Sequence, residues 1–187
     1  MILVVDMNCK KNSLGYFEFV LPIVSLAVEF GDCVVKHYTE VNEENASGCD
    51  CAILSGTPLR DNATLSQLEK FQWVKTYGKP ILGICAGMQT IGLVFGSRLN
   101  RCLGIGMTEI FTLTDNPLFP SKFKAYALHN FSVEPSVEFE VLAKSTQCIE
   151  AIRHKERPVY GVLFHPEVRS PEILQRLFLT FGLHRRV

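Results

Sequence analysis

No two cysteines in this chain are spaced as Cys-x-x-Cys, although seven are present (Cys9, Cys33, Cys49, Cys51, Cys85, Cys102, Cys148). An odd set without regular spacing argues against a disulfide framework and against a tetrahedral zinc site, so no metal site is expected. Cys49 and Cys51 flank a single residue, which leaves a metal reading open. Cys51, however, opens an apolar strand, and a packed core cysteine is the simpler account. Cys9, Cys33 and Cys148 read as packing too. An excess of charge of either sign is also missing: 19 basic and 19 acidic residues give a formal net charge of zero. A nucleic-acid binder should carry a basic patch or a high pI, so no nucleic-acid partner is expected. No apolar run approaches the roughly 20 residues that span a bilayer. Met1 to Val5 is apolar, but Asp6 ends the run too early for a secretory signal. These absences lead to the expectation of a cytoplasmic protein without membrane contact. With 187 residues and no repeat or linker, one domain over 1–187 is expected.

What is present has a clear order. Ile2 to Val5 reads as a strand covered on both faces. Asn12 and Ser13 are positioned to cap a helix over Leu14 to Phe30, which Pro22 should kink or shift. Strands follow at Cys33 to Tyr38 and Cys51 to Leu54, then a helix from Thr64 to Tyr77. Pro80 to Ile84 is a strand and Met88 to Phe95 a helix. Alternating strands and helices imply β-α-β units and a parallel sheet. After Gly104 the texture becomes strand-rich, with Met107–Thr114, Lys122–Leu128, Phe131–Val133, Phe139–Ala143, Ile149–Arg153 and Val159–Phe164. Ser170 and Pro171 then start a closing helix. The fold class is α/β: an open, mostly parallel but mixed sheet flanked by helices, strand-rich in its second half.

The most informative segment is Pro80-Ile81-Leu82-Gly83-Ile84-Cys85-Ala86-Gly87-Met88-Gln89. An apolar strand runs into Gly-x-Cys-x-Gly and then a helix, the cysteine counterpart of a nucleophile elbow. Glycines two residues either side let strand and helix approach closely. The tip lies at a helix N-terminus, which favours an anion. That matters because an ordinary thiol, with a pKa of about 8.5, is only a few per cent thiolate at neutral pH. By itself Gly-x-Cys-x-Gly would equally suit a buried cysteine in an ordinary turn, and the nucleophile needs a base. Pro158 to Phe164 is a strand ending in His165-Pro166-Glu167. His165 at a strand terminus can serve the thiol with one ring nitrogen while Glu167 accepts from the other. His37, His154 and the His184-Arg185-Arg186 tail read as surface.

Together these segments resemble the class I glutamine amidotransferase family. Gly83 to Gln89 matches its G-x-C-x-G-x-Q signature. Tyr160 to Glu167 resembles its G-x-Q-F-H-P-E end, with Leu163 where glutamine is usual. Ile53-Leu54-Ser55-Gly56-Thr57-Pro58 resembles its L-S-G-G-P loop. The resemblance implies Cys85 as nucleophile, His165 as general base and Glu167 as its orienting partner. It implies an oxyanion hole of backbone N–H groups from Ala86 and the Gly56–Thr57 turn. Thr57 stands where glycine is usual, and a φ above zero there would strain a β-branched residue. Gln89 would help hold the substrate. Tyr126 to Phe131 resembles the segment that cradles the substrate's α-groups, which assigns His129, Asn130 and Phe131 to binding.

The implied reaction is hydrolysis of L-glutamine to glutamate and ammonia through a γ-glutamyl thioester, with no cofactor in this chain. The ammonia would pass to a separate synthase subunit that uses ATP and Mg. Phe139 to Lys155 resembles the stand-alone amidotransferase subunit of GMP synthase, whose partner is an ATP-pyrophosphatase subunit that aminates XMP. The start at Asp6 to Ser13 and the His129-Asn130-Phe131 segment depart from that subfamily. The second of these is nearer the anthranilate or aminodeoxychorismate synthase subunits. A stand-alone γ-glutamyl hydrolase and a non-catalytic regulatory module of the same fold remain alternatives.

Overall fold

In the computed structural model, residues 1–186 are described. The chain forms β1 (Ile2–Asp6), α1 (Leu21–Ala27), β2 (Cys33–His37), α2 (Glu43–Ser47), β3 (Cys51–Leu54) and β4 (Ile81–Ile84). It continues through α3 (Ala86–Val94), β5 (Arg98–Thr112), β6 (Lys122–Glu134), β7 (Phe139–Lys144), β8 (Ile149–His154), β9 (Val159–Val162), α4 (Pro166–Arg169) and α5 (Pro171–Thr180). The nine strands make one sheet in the order β2-β1-β3-β4-β9-β8-β7-β5-β6. From β2 to β9 neighbours run parallel; from β9 to β6 they run antiparallel. The expected α/β fold with a mixed sheet and a strand-rich second half is therefore present.

The reason for the apolar strands is visible in β1, whose residues alternate between two cores. Ile2 and Val4 pack with Ile23 and Leu26 of α1 and Leu174 and Phe178 of α5. Leu3 and Val5 pack on the other face with Phe71, Trp73, Met88 and Ile91. Each such fully buried aliphatic side chain contributes about 1.5–3 kcal/mol. Cys49 and Cys51 belong to these cores, as the sequence suggests, and burial pushes the Cys51 thiol up to about 12.

Several local expectations change. The helix expected over 14–30 is a π-helical turn, Tyr16–Val20, followed by α1. Pro22 sits in the first turn of α1, where its missing N–H breaks no bond. Asn12 adopts a left-handed φ of 57°, and no side chain caps the segment. The stretch 64–77 is two 3₁₀ pieces, Ala63–Ser66 and Leu68–Lys75. The two strands expected across 122–133 are the single strand β6. Ser170 stands at the α5 N-cap without a side-chain bond. His37 and His154 are buried rather than surface residues. His37 Nε2 lies 2.7 Å from the Asn8 carbonyl oxygen, and His154 packs against Phe95 and Phe139. Cys9, expected as packing, is exposed.

Candidate active site

β4 ends at Ile84 and α3 begins at Ala86, so Cys85 alone makes the turn, with φ 48° and ψ −100°. A non-glycine residue in that conformation is strained, and such strain persists only where the surroundings impose it. They do so here by close approach. A Cβ on Gly83 would stand 2.5 Å from the Gly87 carbonyl carbon, and one on Gly87 would collide with the Leu54 carbonyl oxygen. Strand and helix meet too tightly for any side chain at either position. The Cys85 N–H donates to the Val162 oxygen at 2.8 Å, tying the elbow to β9. Its sulfur lies 3.5 Å from the Leu128 carbonyl of β6. The N–H groups of Ala86, Gly87 and Met88 form the first turn of α3 and so lack intrahelical partners.

His165 follows β9 directly beyond Phe164, and its N–H donates to the Tyr126 oxygen at 2.8 Å. Nδ1 donates to Glu167 Oε1 at 2.7 Å, with both side chains sealed from solvent. That bond fixes the tautomer and leaves Nε2, which has no hydrogen-bond partner among the described residues, for the thiol. Complete burial by itself disfavours the imidazolium. The Glu167 carboxylate and the Cys85 sulfur outweigh it, and the ring is held well above its ordinary value of 6.5. The Phe19 ring, 4.9 Å away, covers the imidazole from the π-helical turn.

The Ser55-Gly56-Thr57 loop closes the site from β3. A Cβ on Gly56 would overlap His165 Cε1, so this backbone lies flush against the imidazole. Ser55 Oγ accepts from the Met7 N–H at 3.2 Å and donates to the Gly56 oxygen at 3.0 Å. Thr57 Oγ1 donates to the Asp61 oxygen at 2.9 Å. Thr57 is not among the residues with positive φ, so the strain that its β-branch would bring does not arise.

The four remaining sequence candidates sit around β6. Gln89 is buried on α3 and donates through Nε2 to the Phe131 oxygen at 2.9 Å. Asn130 reaches through Nδ2 to the Leu59 oxygen. His129 turns its ring toward β5, where Nδ1 donates to the Cys102 oxygen at 2.9 Å. Burial lowers the His129 pKa below 6.5; the Cys102 bond works against it and the nearby His165 charge adds to it. Asn130 and Phe131 line a cavity of about 490 Å³ with Asn62, Arg101, Cys102 and Leu103. Sequence reasoning missed Phe19 and the contacts that the Tyr126 and Leu128 carbonyls make with His165 and Cys85. All three act through a ring face or a carbonyl, for which no motif exists.

Residues 18–183 match the family described as glutamine amidotransferase class-I. A glutamine-hydrolysing GMP synthase subunit of Methanopyrus kandleri is 39% identical over 153 residues, covering 74% of this chain and 78% of the relative. Its counterpart in Methanosarcina barkeri is 32% identical over 177 residues, covering 91% and 92%. The match to the Methanocaldococcus jannaschii counterpart is 40% identical over 109 residues but spans only 54% of this chain and 58% of the relative. A GMP synthase-type protein of Thermoplasma acidophilum shares the fold at a TM-score of 0.83 and 23% identity, covering 97% of this chain and 94% of that one. No helix among the described residues is long and apolar enough to cross a membrane. With the family match extending over most of its length and a strained cysteine set beside a sealed histidine–glutamate pair, this chain belongs to the class I glutamine amidotransferase family.

Proposed function

We propose that this chain hydrolyses L-glutamine to glutamate and ammonia, with Cys85 as nucleophile, His165 as general acid and base and Glu167 as the residue that orients it. The observation that carries this reading is the solvent-sealed His165–Glu167 pair at 2.7 Å beside the strained Cys85. The thiolate attacks the carboxamide carbon, a C–S bond forms, and negative charge moves to the oxygen. The N–H groups of Ala86 and the Gly56–Thr57 turn face that charge; losing one such donor costs about 10²–10³ in rate. Collapse breaks the C–N bond, and His165 gives its proton to the departing ammonia. Water then attacks the thioester as His165 takes its proton, and C–S cleavage returns glutamate and the thiolate. The glutamine main-chain groups lie along β6, where Gln89 secures the backbone at Phe131. No cofactor enters any of these steps.

The ammonia passes to a separate synthase subunit. GMP synthase is the reading favoured by the names of the relatives, and the partner would be an ATP- and Mg-dependent pyrophosphatase subunit that aminates XMP. A surface suited to it exists on β5, where Leu103, Ile105 and Met107 alternate outward, each more than half exposed. Such an apolar stripe beside the site marks an interaction surface.

The test is intact-mass spectrometry after exposure to 6-diazo-5-oxonorleucine, with Cys85→Ala as control. One adduct, abolished by the substitution and blocked by excess glutamine, is expected. No adduct in the presence of the ATP-pyrophosphatase subunit, XMP, ATP and Mg would overturn the catalytic reading.

A further inference from the structure

A second group of chemistry-bearing side chains gathers at β6, outside the triad. A ring nitrogen of His129, the sulfur of Cys148 and a carboxylate oxygen of Glu150 all lie within 4.8 Å of one another. β6 and β8 are separated in strand order by β5 and β7, yet the antiparallel half of the sheet curls enough to bring them together. Cys148 stands just before β8 and Glu150 within it, and their side chains meet at 3.6 Å.

Each group is prepared for a cation. A β-bulge between Arg101 and Gly104 leaves the Cys102 carbonyl free to accept from His129 Nδ1. A carbonyl can only accept, so the proton is on Nδ1 and Nε2 keeps its lone pair. Metal-binding imidazoles are held in this way, with the second nitrogen donating to a backbone oxygen. Glu150 is 1% exposed, and its Oε2 is buried with no partner among the described residues. Its Oε1 accepts from the Cys148 thiol at 3.6 Å. A buried carboxylate with an unused oxygen is costly unless something positive satisfies it. Cys102 and Cys148 both line a shallow cavity of about 280 Å³, which gives solvent access.

We propose that His129, Cys148 and Glu150 bind one zinc(II) ion, with water in the fourth position. Nitrogen, thiolate and a single carboxylate suit zinc and disfavour the all-oxygen cations calcium and magnesium. Tetrahedral zinc holds its ligand atoms roughly 3.3–3.8 Å apart, so the side chains close by about 1 Å when it binds. The Cys148 thiol releases its proton to solvent. The ion fastens β6 to β8 at the residue after Leu128, whose carbonyl meets the nucleophile. This inference does not depend on glutamine hydrolysis.

The experiment uses the full chain carrying Cys85→Ala, so that the nucleophile cannot supply a ligand. After chelator treatment it is titrated with zinc chloride by calorimetry and with cobalt(II) by absorption. One equivalent of metal, a thiolate-to-cobalt charge-transfer band and a rise in melting temperature are expected. The near-isosteric Cys148→Ser and Glu150→Gln should each weaken binding at least tenfold. Should either variant fail to fold, zinc must still protect Cys148 of the parent chain from a thiol-alkylating reagent, read by peptide mass. Absence of saturable binding, binding that both folded variants retain, or unchanged alkylation of Cys148 under saturating zinc would each overturn the proposal.

Discussion

The Cβ that Gly56 lacks would stand 2.8 Å from His165 Nδ1 and 3.5 Å from Glu167 Oε1, so one backbone segment walls both members of the pair. Nothing but glycine fits there without displacing the imidazole. Gly56→Ala should lower kcat for glutamine hydrolysis at least tenfold, because small displacements of a positioned base are expensive. Gly48→Ala is the matched control. Gly48 has φ −72° and no atom within 4 Å of an added Cβ. That substitution should leave kcat unchanged and raise stability by about 0.4–1 kcal/mol. Steady-state kinetics and denaturant midpoints check both.

Glu167 is the group that raises the proton affinity of His165 against the effect of burial. Glu167→Gln should therefore move the alkaline limb of the Cys85 alkylation rate to lower pH and reduce kcat by about 10²–10⁴. A pH–rate profile with 6-diazo-5-oxonorleucine separates this from simple loss of folding. An unmoved alkaline limb would contradict the assignment.

The same pair has a stability consequence. A ring whose pKa is raised on folding contributes stability that is fully present below its unfolded value and lost as pH rises through the folded one. With the unfolded value near 6.5, denaturant midpoints of the parent chain should decline as pH climbs above that point. Those of His165→Gln should be flatter over the same range.

Gln89→Leu leaves the partly buried Phe131 carbonyl without its 2.9 Å donor. A fully buried unsatisfied acceptor costs about 1–3 kcal/mol, so a loss toward the lower end of that range is expected, measurable as a lower unfolding midpoint. Because β6 loosens beside the elbow, KM for glutamine should rise more than kcat falls.

Leu103→Asp combined with Ile105→Asp places two charges on the exposed stripe of β5. Labelling of Cys85 by the diazo analogue should persist, while glutamine-dependent amination by the synthase subunit should fall at least tenfold. Undiminished coupling would move the docking surface elsewhere.

What the sequence made legible was whatever is local. Cys85, with Gly83 and Gly87, and His165, with Glu167, are each set by a few consecutive residues, and each stands where its motif implies. Contacts made by carbonyls and ring faces were not legible. Leu128 meets the nucleophile through its oxygen, Tyr126 holds His165 through its oxygen, and Phe19 covers it with a ring. Residue type says nothing about the first two. Phe19 is reached only because Pro22 displaces the start of α1 into a wider turn. His129 and Asn130 interrupt an apolar pattern, which makes β6 look like two strands. Cys148 resembles packing until the curl of the sheet brings His129 to it.

The sheet order carries a consequence for how the chain matures. β9 inserts between β4 and β8, and it alone brings His165 to a cysteine eighty positions earlier. A nascent chain stalled before β9 lacks both the Val162 oxygen that ties the elbow and the His165 imidazole that arms its thiol. The order of synthesis thus keeps the thiol quiescent until the central strand is in place, so that reactivity serves as a report of completed folding.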